Sequence, residues 1–159
     1  MRKRKINETY LRQILAPDVR DEMIDASVFS ATLGEFVGEY LCGIATLETS
    51  GDANGKVRLK LPVVSYLIRL LAEGIDEGET ISFSITIDEN LTLMASYPRL
   101  PCVDDTALIV KVARLAGFDV KRKGESLYFT AKMQTSAIMH VYASSSEEFM
   151  YYLVTTRKM

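Results

Sequence analysis

The sequence predicts an α+β domain: a two-layer sandwich in which helices cover one face of a mixed, mostly antiparallel sheet, preceded by an N-terminal helical segment. Two observations lead to this prediction. Residues 61–74 and 104–117 have helical periodicity, and each stretch is followed by alternating apolar and polar residues around a turn, at 80–97 and 119–133. Because each alternating strand has a single apolar face, only one side of the sheet needs cover, and we expect about five to seven strands.

The composition is that of an ordinary globular chain. Its 159 residues suit one domain, and 48% of them are hydrophobic and 25% charged. The formal net charge is −2 and the pI is about 5.5, so the chain as a whole is not attracted to nucleic acid or to an anionic membrane. We therefore expect neither as a partner, and we attribute the basic run at residues 2–5 to a solvated tail.

Cysteine, histidine and motif usage indicate no reactive site. Cys42 and Cys102 form no Cys-x-x-Cys pair, and His140 is the single histidine. The sequence has no Walker loop, Rossmann fingerprint or Gly-x-Ser-x-Gly elbow. We therefore predict no catalytic, cofactor-binding or metal-binding residues. A sequence without a signal peptide or an apolar run of transmembrane length predicts a cytoplasmic protein.

The N-terminal part is predicted to be helical. Asn7 can cap a short helix over residues 7–16, which Pro17 ends, and residues 19–46 then favour a longer helix.

Within the longer helix, seven residues step three and four apart along one face: Met23, Ala26, Ser30, Leu33, Val37, Tyr40 and Ile44. Gly34 and Gly38 lie close to this face, which indicates that another backbone approaches it. Two interpretations remain open. The face packs against the chain's own sheet or helices, or it forms a homodimer through residues 23–44.

A turn-rich linker is predicted at residues 47–56, where Asn54-Gly55 favours a tight reversal. It separates the helical segment, residues 1–48, from the α+β domain, residues 49–159. Residues 57–61 then alternate as a strand. Pro62 suits the first turn of the helix that follows, because its missing N–H is no loss there.

The second helix has clear boundaries. Residues 97–101 (Tyr-Pro-Arg-Leu-Pro) form a stiff connector, because two prolines fix φ and restrict the residues before them. Asp104 and Asp105 favour a helix N-terminus, and Gly117 favours a C-terminus.

The C-terminal residues allow two interpretations. In the first, residues 138–143 and 149–156 pair as a hairpin. In the second, Ser145-x-x-Glu148 is a capping box that opens a helix. Aromatic and β-branched residues at 151–155 favour strands, so we expect the hairpin.

The order strand, helix, hairpin, helix, hairpin over residues 57–133 resembles the ATP-binding fold of the GHKL superfamily, which includes histidine-kinase catalytic domains and anti-sigma kinases. Residues 67–78 look like the kinase helix that carries a metal-binding Asn, followed by a short turn into paired strands. Residues 124–129 (Gly-Glu-Ser-Leu-Tyr-Phe) are similar to the Gly-x-Gly-Thr-x-Phe run near the adenine pocket, with Ser126 in place of the Thr.

The ligand elements of that family are altered here. The resemblance places Arg69 at the position of the metal-binding Asn, and an arginine cannot coordinate a cation. Residues 95–101 stand where the family has Asp-x-Gly-x-Gly, but they contain neither Asp nor Gly. The phosphate-binding turn has become residues 102–106 (Cys-Val-Asp-Asp-Thr), whose carboxylates repel phosphate, and no room is left for a long ATP lid.

These departures favour a degenerate, non-catalytic histidine-kinase-like module, a pseudo-ATPase, that binds or regulates a protein in bacterial signalling. The partner would be a signalling protein or a second copy of the chain. The alternative is a divergent ATP-binding kinase or anti-sigma-like ATPase of the same superfamily. Autophosphorylation in the usual way is not expected, because His140 lies far outside the segment that would carry a phospho-accepting histidine.

Overall fold

The computed structural model of the chain describes residues 21–51, 54–134 and 145–157, and of the preceding residues Arg12 alone. Seven strands lie in this part of the chain: β1 (Glu22–Asp25), β2 (Ala45–Ser50), β3 (Lys56–Leu59), β4 (Ile81–Ile87), β5 (Asn90–Ser96), β6 (Asp119–Lys123) and β7 (Ser126–Lys132). Five of them form a mixed sheet in the order β2-β4-β5-β7-β6, in which only β2 and β4 are parallel neighbours.

The alternation of side chains gives the sheet one apolar face. Across β4, β5 and β7 the apolar residues fall in rows, of which Phe83, Ala95 and Leu127 form one and Ile85, Leu93 and Phe129 another. These six residues are at most 1% exposed. The opposite face carries serine and threonine rows, such as Thr86, Thr92 and Thr130. The alternation of apolar and polar residues along each strand therefore decides which face of the sheet the helices cover.

Four helices lie in the described residues: α1 (Ala26–Tyr40), α2 (Leu61–Glu73), α3 (Val103–Ala116) and α4 (Ser146–Arg157). They pack on the apolar face of the sheet, and their inner residues join one core with those of the strands. The predicted two-layer α+β sandwich is therefore confirmed, and α2 and α3 are the two predicted helices.

The sequence signals at the helix ends act as predicted. Pro62 lies in the first turn of α2, and Asp104 and Asp105 lie in the first turn of α3. Gly117 follows α3 with φ of 116°, and its N–H donates to carbonyl oxygens of the last turn. Only glycine adopts this left-handed conformation without strain, so the helix ends there.

Beside the five-stranded sheet, β1 and β3 form a two-stranded antiparallel ladder. Lys56 and Gln134 exchange backbone hydrogen bonds of 3.1 and 2.8 Å, which extend the ladder toward the end of β7. Met23 and Ile24 are both buried, so this ladder belongs to the same core.

Two predictions for the N-terminal half are wrong. The helix predicted over residues 19–46 is shorter, because β1 precedes α1 and Ala45 already begins β2. The linker predicted over residues 47–56 is wrong for residues 47–50, which belong to β2, and for Lys56, which begins β3. Residues 47–50 form a strand because they pair with the edge of β4, although their composition favours turns. A domain boundary between residues 48 and 49 would cut this strand.

The helical face noted in the sequence lies largely inside the chain. Ala26, Leu33 and Val37 are at most 3% exposed, whereas Ile44 is 41% exposed. A Cβ on Gly34 would lie 3.6 Å from Leu47 Cδ2, so α1 approaches β2 closely at this point. The first interpretation, packing against the chain's own sheet, therefore describes these residues. A homodimer through residues 23–44 stays a prediction.

The hairpin predicted at the C-terminus is wrong for residues 149–156, which lie in α4. Residues 138–143 lie outside the described residues, and so does the helix predicted over 7–16 apart from Arg12. The capping-box interpretation is confirmed, because Ser145 Oγ accepts a 3.2 Å hydrogen bond from the Glu148 N–H. Phe149 and Leu153 are one helical turn apart and almost fully buried. This spacing and the cap outweigh the strand propensity of the tyrosines and threonines.

Candidate functional site

The connector, residues 97–101, lies between β5 and α3 and forms hydrogen bonds to elements on both sides of it. The Tyr97 hydroxyl donates a 2.7 Å hydrogen bond to the Leu71 carbonyl near the end of α2, and the Tyr97 side chain is buried. The Tyr97 N–H donates to the Glu125 carbonyl at 3.0 Å, and the Leu100 N–H donates to Glu125 Oε2 at 2.6 Å. This connector is therefore attached to α2 on one side and to the β6–β7 turn on the other.

Gly74 shows how tightly the connector packs. It follows α2 directly, and a Cβ at this position would lie 2.8 Å from Pro101 Cγ and 3.1 Å from Tyr97 Oη. Neither atom belongs to the end of a long flexible side chain, so nothing larger than glycine fits without displacing the connector. The resemblance places adenine-binding glycines in this segment, and instead a proline and a tyrosine rest on the helix.

A cleft of about 310 Å³ remains between the connector, the end of α2 and the start of α3. Three carboxylates line it, those of Glu73, Asp76 and Asp105, against one guanidinium, that of Arg99. Arg99 itself approaches Glu79 at 3.6 Å. The excess of negative charge disfavours a phosphate group in this cleft, as the sequence of the turn before α3 predicts.

Arg69 takes part in a different contact from the one its sequence position implies. Its Nε donates to Glu73 Oε1 at 2.8 Å, and its Nη1 donates to the Thr156 carbonyl in α4 at 3.4 Å. The side chain is 16% exposed. The position that the resemblance gives to a metal ligand therefore carries a cationic side chain, which pairs with Glu73 within α2 and bonds to the Thr156 carbonyl of α4.

Ser126 also differs from the expectation. Its hydroxyl lies 2.7 Å from that of Ser96 across the β5–β7 ladder, and its neighbour Leu127 faces the helices. Since side chains alternate along a strand, Ser126 lies on the outer face of the sheet and not in the cleft. The structure thus does not bring Arg69, Ser126 and the turn before α3 together into one site.

A second cleft lies on the other side of α2, between α1, α2, α4 and the loop before β4. Its volume is about 370 Å³, and its walls include Phe36, Ile68 and Leu153. Arg69 and Glu73 reach it from α2. The sequence could not indicate this cleft, because one wall is α4, which the strand propensity of the C-terminal residues conceals.

Two features are absent from the described residues. These residues contain no group of three or more His, Cys, Asp or Glu side chains arranged to hold a metal ion. No helix in the same residues has the length and apolarity needed to cross a membrane.

Comparison with solved structures finds proteins of similar fold. One is the histidine kinase AdeS of Acinetobacter baumannii, with 14% identity and a TM-score of 0.44 over 80% of this chain and 76% of that chain. Another is the ATP-binding domain of PrrB from Mycobacterium tuberculosis, with 12% identity and a TM-score of 0.44 over 72% and 98%. A bacterial phosphotransferase matches with 14% identity and a TM-score of 0.40 over 78% and 71%.

No protein family and no curated protein matches the chain in sequence. By the structural matches alone, the fold resembles that of histidine-kinase ATP-binding domains, as the order of elements predicted. The similarity concerns the fold alone, and no activity follows from it.

Proposed function

We propose that this protein is a non-catalytic, histidine-kinase-like module that acts in bacterial signalling by binding another protein. The observation that carries the proposal is the packing of the connector against α2. Tyr97 bonds to the Leu71 carbonyl, and Pro101 leaves no space beyond Gly74. A nucleotide base entering between them would have to break this bond and displace a ring.

The charges in the same cleft support the proposal. Three carboxylates, those of Glu73, Asp76 and Asp105, line this cleft and repel the phosphates of a nucleotide. Arg69, which the sequence resemblance places at the position of the metal-binding Asn, donates to Glu73 and cannot coordinate Mg²⁺.

Isothermal calorimetry with ATP and Mg²⁺ tests the proposal. We expect no binding heat at millimolar nucleotide. A Kd tighter than about 100 μM, or about −5.5 kcal/mol, would overturn the proposal in favour of the divergent ATP-binding kinase.

Two variants make the experiment sharper. Arg69→Asn restores the residue type of a metal ligand and leaves the connector in place, so it should not bring nucleotide binding. Arg122→Asn, a change of the same type outside the cleft, is the matched control. Nucleotide binding that appears only in Arg69→Asn would show that the connector does not close the site.

A further inference from the structure

The outer side of α3 carries an apolar strip that is exposed at Val103 and Ala107 and half-buried at Val110. Val103, Ala107 and Val110 lie four and three residues apart, so they share one face of the helix. Val103 is 85% exposed, which is unusual for a large aliphatic side chain. Leu100 extends the strip into the connector. A groove of about 870 Å³, here called the α3 groove, follows this strip as far as the β6–β7 turn.

Four cationic side chains border the α3 groove, from three different segments: Arg99, Lys111, Arg114 and Arg122. Its one carboxylate, that of Glu125, already accepts a hydrogen bond from the Leu100 N–H. Lys111 and Arg114 are exposed, and neither has an ion-pair partner within the described residues. The α3 groove is thus positively charged on a chain whose net charge is −2.

We propose that the α3 groove binds an acidic amphipathic helix of a partner protein. Aliphatic side chains of that helix would lie on the strip from Val103 to Val110, and its carboxylates would face Lys111 and Arg114. The inference deepens the proposed protein-binding role by naming the surface and the chemistry of the partner.

The sequence argues against an occupant from the same chain. Residues 135–144 contain no Asp or Glu, and residues 1–20 contain two acidic residues against six basic ones. Neither segment complements a cationic groove.

The lining also argues against nucleic acid. None of the residues along the α3 groove is aromatic, so bases would find no stacking surface. The centre of the groove is aliphatic, where phosphates would lose hydration without gaining a donor.

The test uses a fluorescently labelled synthetic peptide of about four helical turns, with leucines three and four residues apart and glutamates beside them. Fluorescence anisotropy measures its binding to the full chain. A scrambled peptide of the same composition and a peptide with Gln in place of Glu are the ligand controls.

Two variants carry the argument. Lys111→Glu with Arg114→Glu should weaken binding of the acidic peptide at least about tenfold, and Val103→Asp should weaken it independently at the other end of the groove. The matched control is Lys56→Glu with Lys132→Glu, two exposed residues outside the groove with the same change of charge. Far-ultraviolet circular dichroism verifies that each variant is folded.

Each outcome decides the matter. Binding that requires the ordered leucines, weakens in Gln and groove variants and falls between about 50 and 300 mM salt supports the inference. Equal binding to the groove and control variants overturns it, as does no binding at all. Binding of a single-stranded oligonucleotide that Lys111→Glu with Arg114→Glu abolishes, without peptide binding, would assign the groove to nucleic acid. Concentration-dependent self-association lost in Val103→Asp would assign it to a second copy.

The inference and the proposed function fail separately. ATP binding in calorimetry would overturn the non-catalytic role and leave peptide binding unaffected. Absence of peptide binding would exclude the α3 groove as a docking surface and would leave the expectation that the chain binds no ATP unchanged.

Discussion

The two sides of α2 differ in how they meet their neighbours. On the side of α3, the connector lies directly on the helix end, with Tyr97 bonded to Leu71 and Pro101 against Gly74. On the side of α1 and α4, an open cleft of about 370 Å³ remains. On one flank of the helix a short rigid segment is in close contact with the helix end, beside a cleft of about 310 Å³ lined by carboxylates. On the other flank the cleft has apolar walls that include Phe36, Ile68 and Leu153.

The order of helices and strands alone does not determine which side chains line the space on each flank of α2. The strands and helices alone would allow a cavity on either flank of α2. On the α3 flank, residues 97–101 lie against α2 because the prolines restrict the backbone and the Tyr97 hydroxyl bonds to the helix. On the other flank, Arg69 bonds to Glu73 within α2 and to the Thr156 carbonyl of α4.

The largest effect on stability is expected from removing the main anchor of α4. Phe149 is fully buried and stacks on Phe29 at 5.0 Å between ring centroids. We expect Phe149→Ala to lower the free energy of unfolding by about 3–5 kcal/mol, because it leaves a large cavity under α4. Urea denaturation measures the effect.

Tyr151→Ala is the matched control, because this residue of the same helix is 66% exposed. Its effect should stay within about 0.5 kcal/mol. A loss below about 1 kcal/mol for Phe149→Ala would mean that α4 is not a firm wall of the open cleft.

A smaller loss of stability is expected where the connector packs on the end of α2. Gly74→Ala places a methyl group 2.8 Å from Pro101 Cγ, so we expect a loss of about 1–3 kcal/mol in thermal or chemical unfolding. Gly34→Ala is the control, because its Cβ meets only Leu47 at 3.6 Å. That substitution should stabilise the protein by about 0.5–1 kcal/mol through helix propensity. Effects of the same sign at the two sites would contradict tight packing of the connector.

The fixing bond of the connector can be removed alone. Tyr97→Phe deletes the hydroxyl that donates to the Leu71 carbonyl, and we expect a loss of about 1 kcal/mol because a buried acceptor loses a partner. Hydrogen exchange should also become faster in residues 97–101 than elsewhere. Tyr128→Phe, at a half-buried position on the outer face of the sheet, should change neither measurement. An unchanged exchange rate in Tyr97→Phe would show that the prolines alone hold the connector.

The smallest effect is expected at the cap of α4. Ser145→Ala removes the acceptor for the Glu148 N–H, which should cost about 0.5–1 kcal/mol in unfolding. Ser146→Ala is the control at the next residue, whose hydroxyl is not the cap. Equal losses in both variants would contradict the capping box.

The local signals of the sequence predict the centre of the fold well. Alternation along residues 80–97 and 119–133 predicts two hairpins and their inward faces, and Pro62 and Gly117 lie at helix ends as expected. These features depend on neighbours in sequence, so a pattern of residues suffices.

The missed elements depend on distant partners. β2 is a strand because β4 offers it a free edge, and the composition of residues 47–50 contains no sign of that edge. In α4, the capping box at Ser145-x-x-Glu148 indicated a helix, but the aromatic and β-branched residues at 151–155 favoured a strand.

The sequence predicts which ligand-binding residues of the family the candidate site lacks, but it does not predict the contacts that the site forms. The sequence indicates that residues 95–101 lack the family's Asp and Gly, and that Arg69 cannot bind a cation. It does not indicate that Tyr97 reaches Leu71, or that Pro101 rests on Gly74. Those contacts require the end of α2 and the connector to be placed in space first.

The stacking of Phe29 on Phe149 joins parts of the chain that are separated by most of its length. During synthesis on the ribosome, the ring of Phe29 has no stacking partner until α4 has been made. Contacts of such high sequence separation form slowly, because the entropy of closing a long loop must be overcome before they contribute. We therefore expect the docking of α4 onto α1 to be a late step of folding, before which the apolar surface around Phe29 stays exposed.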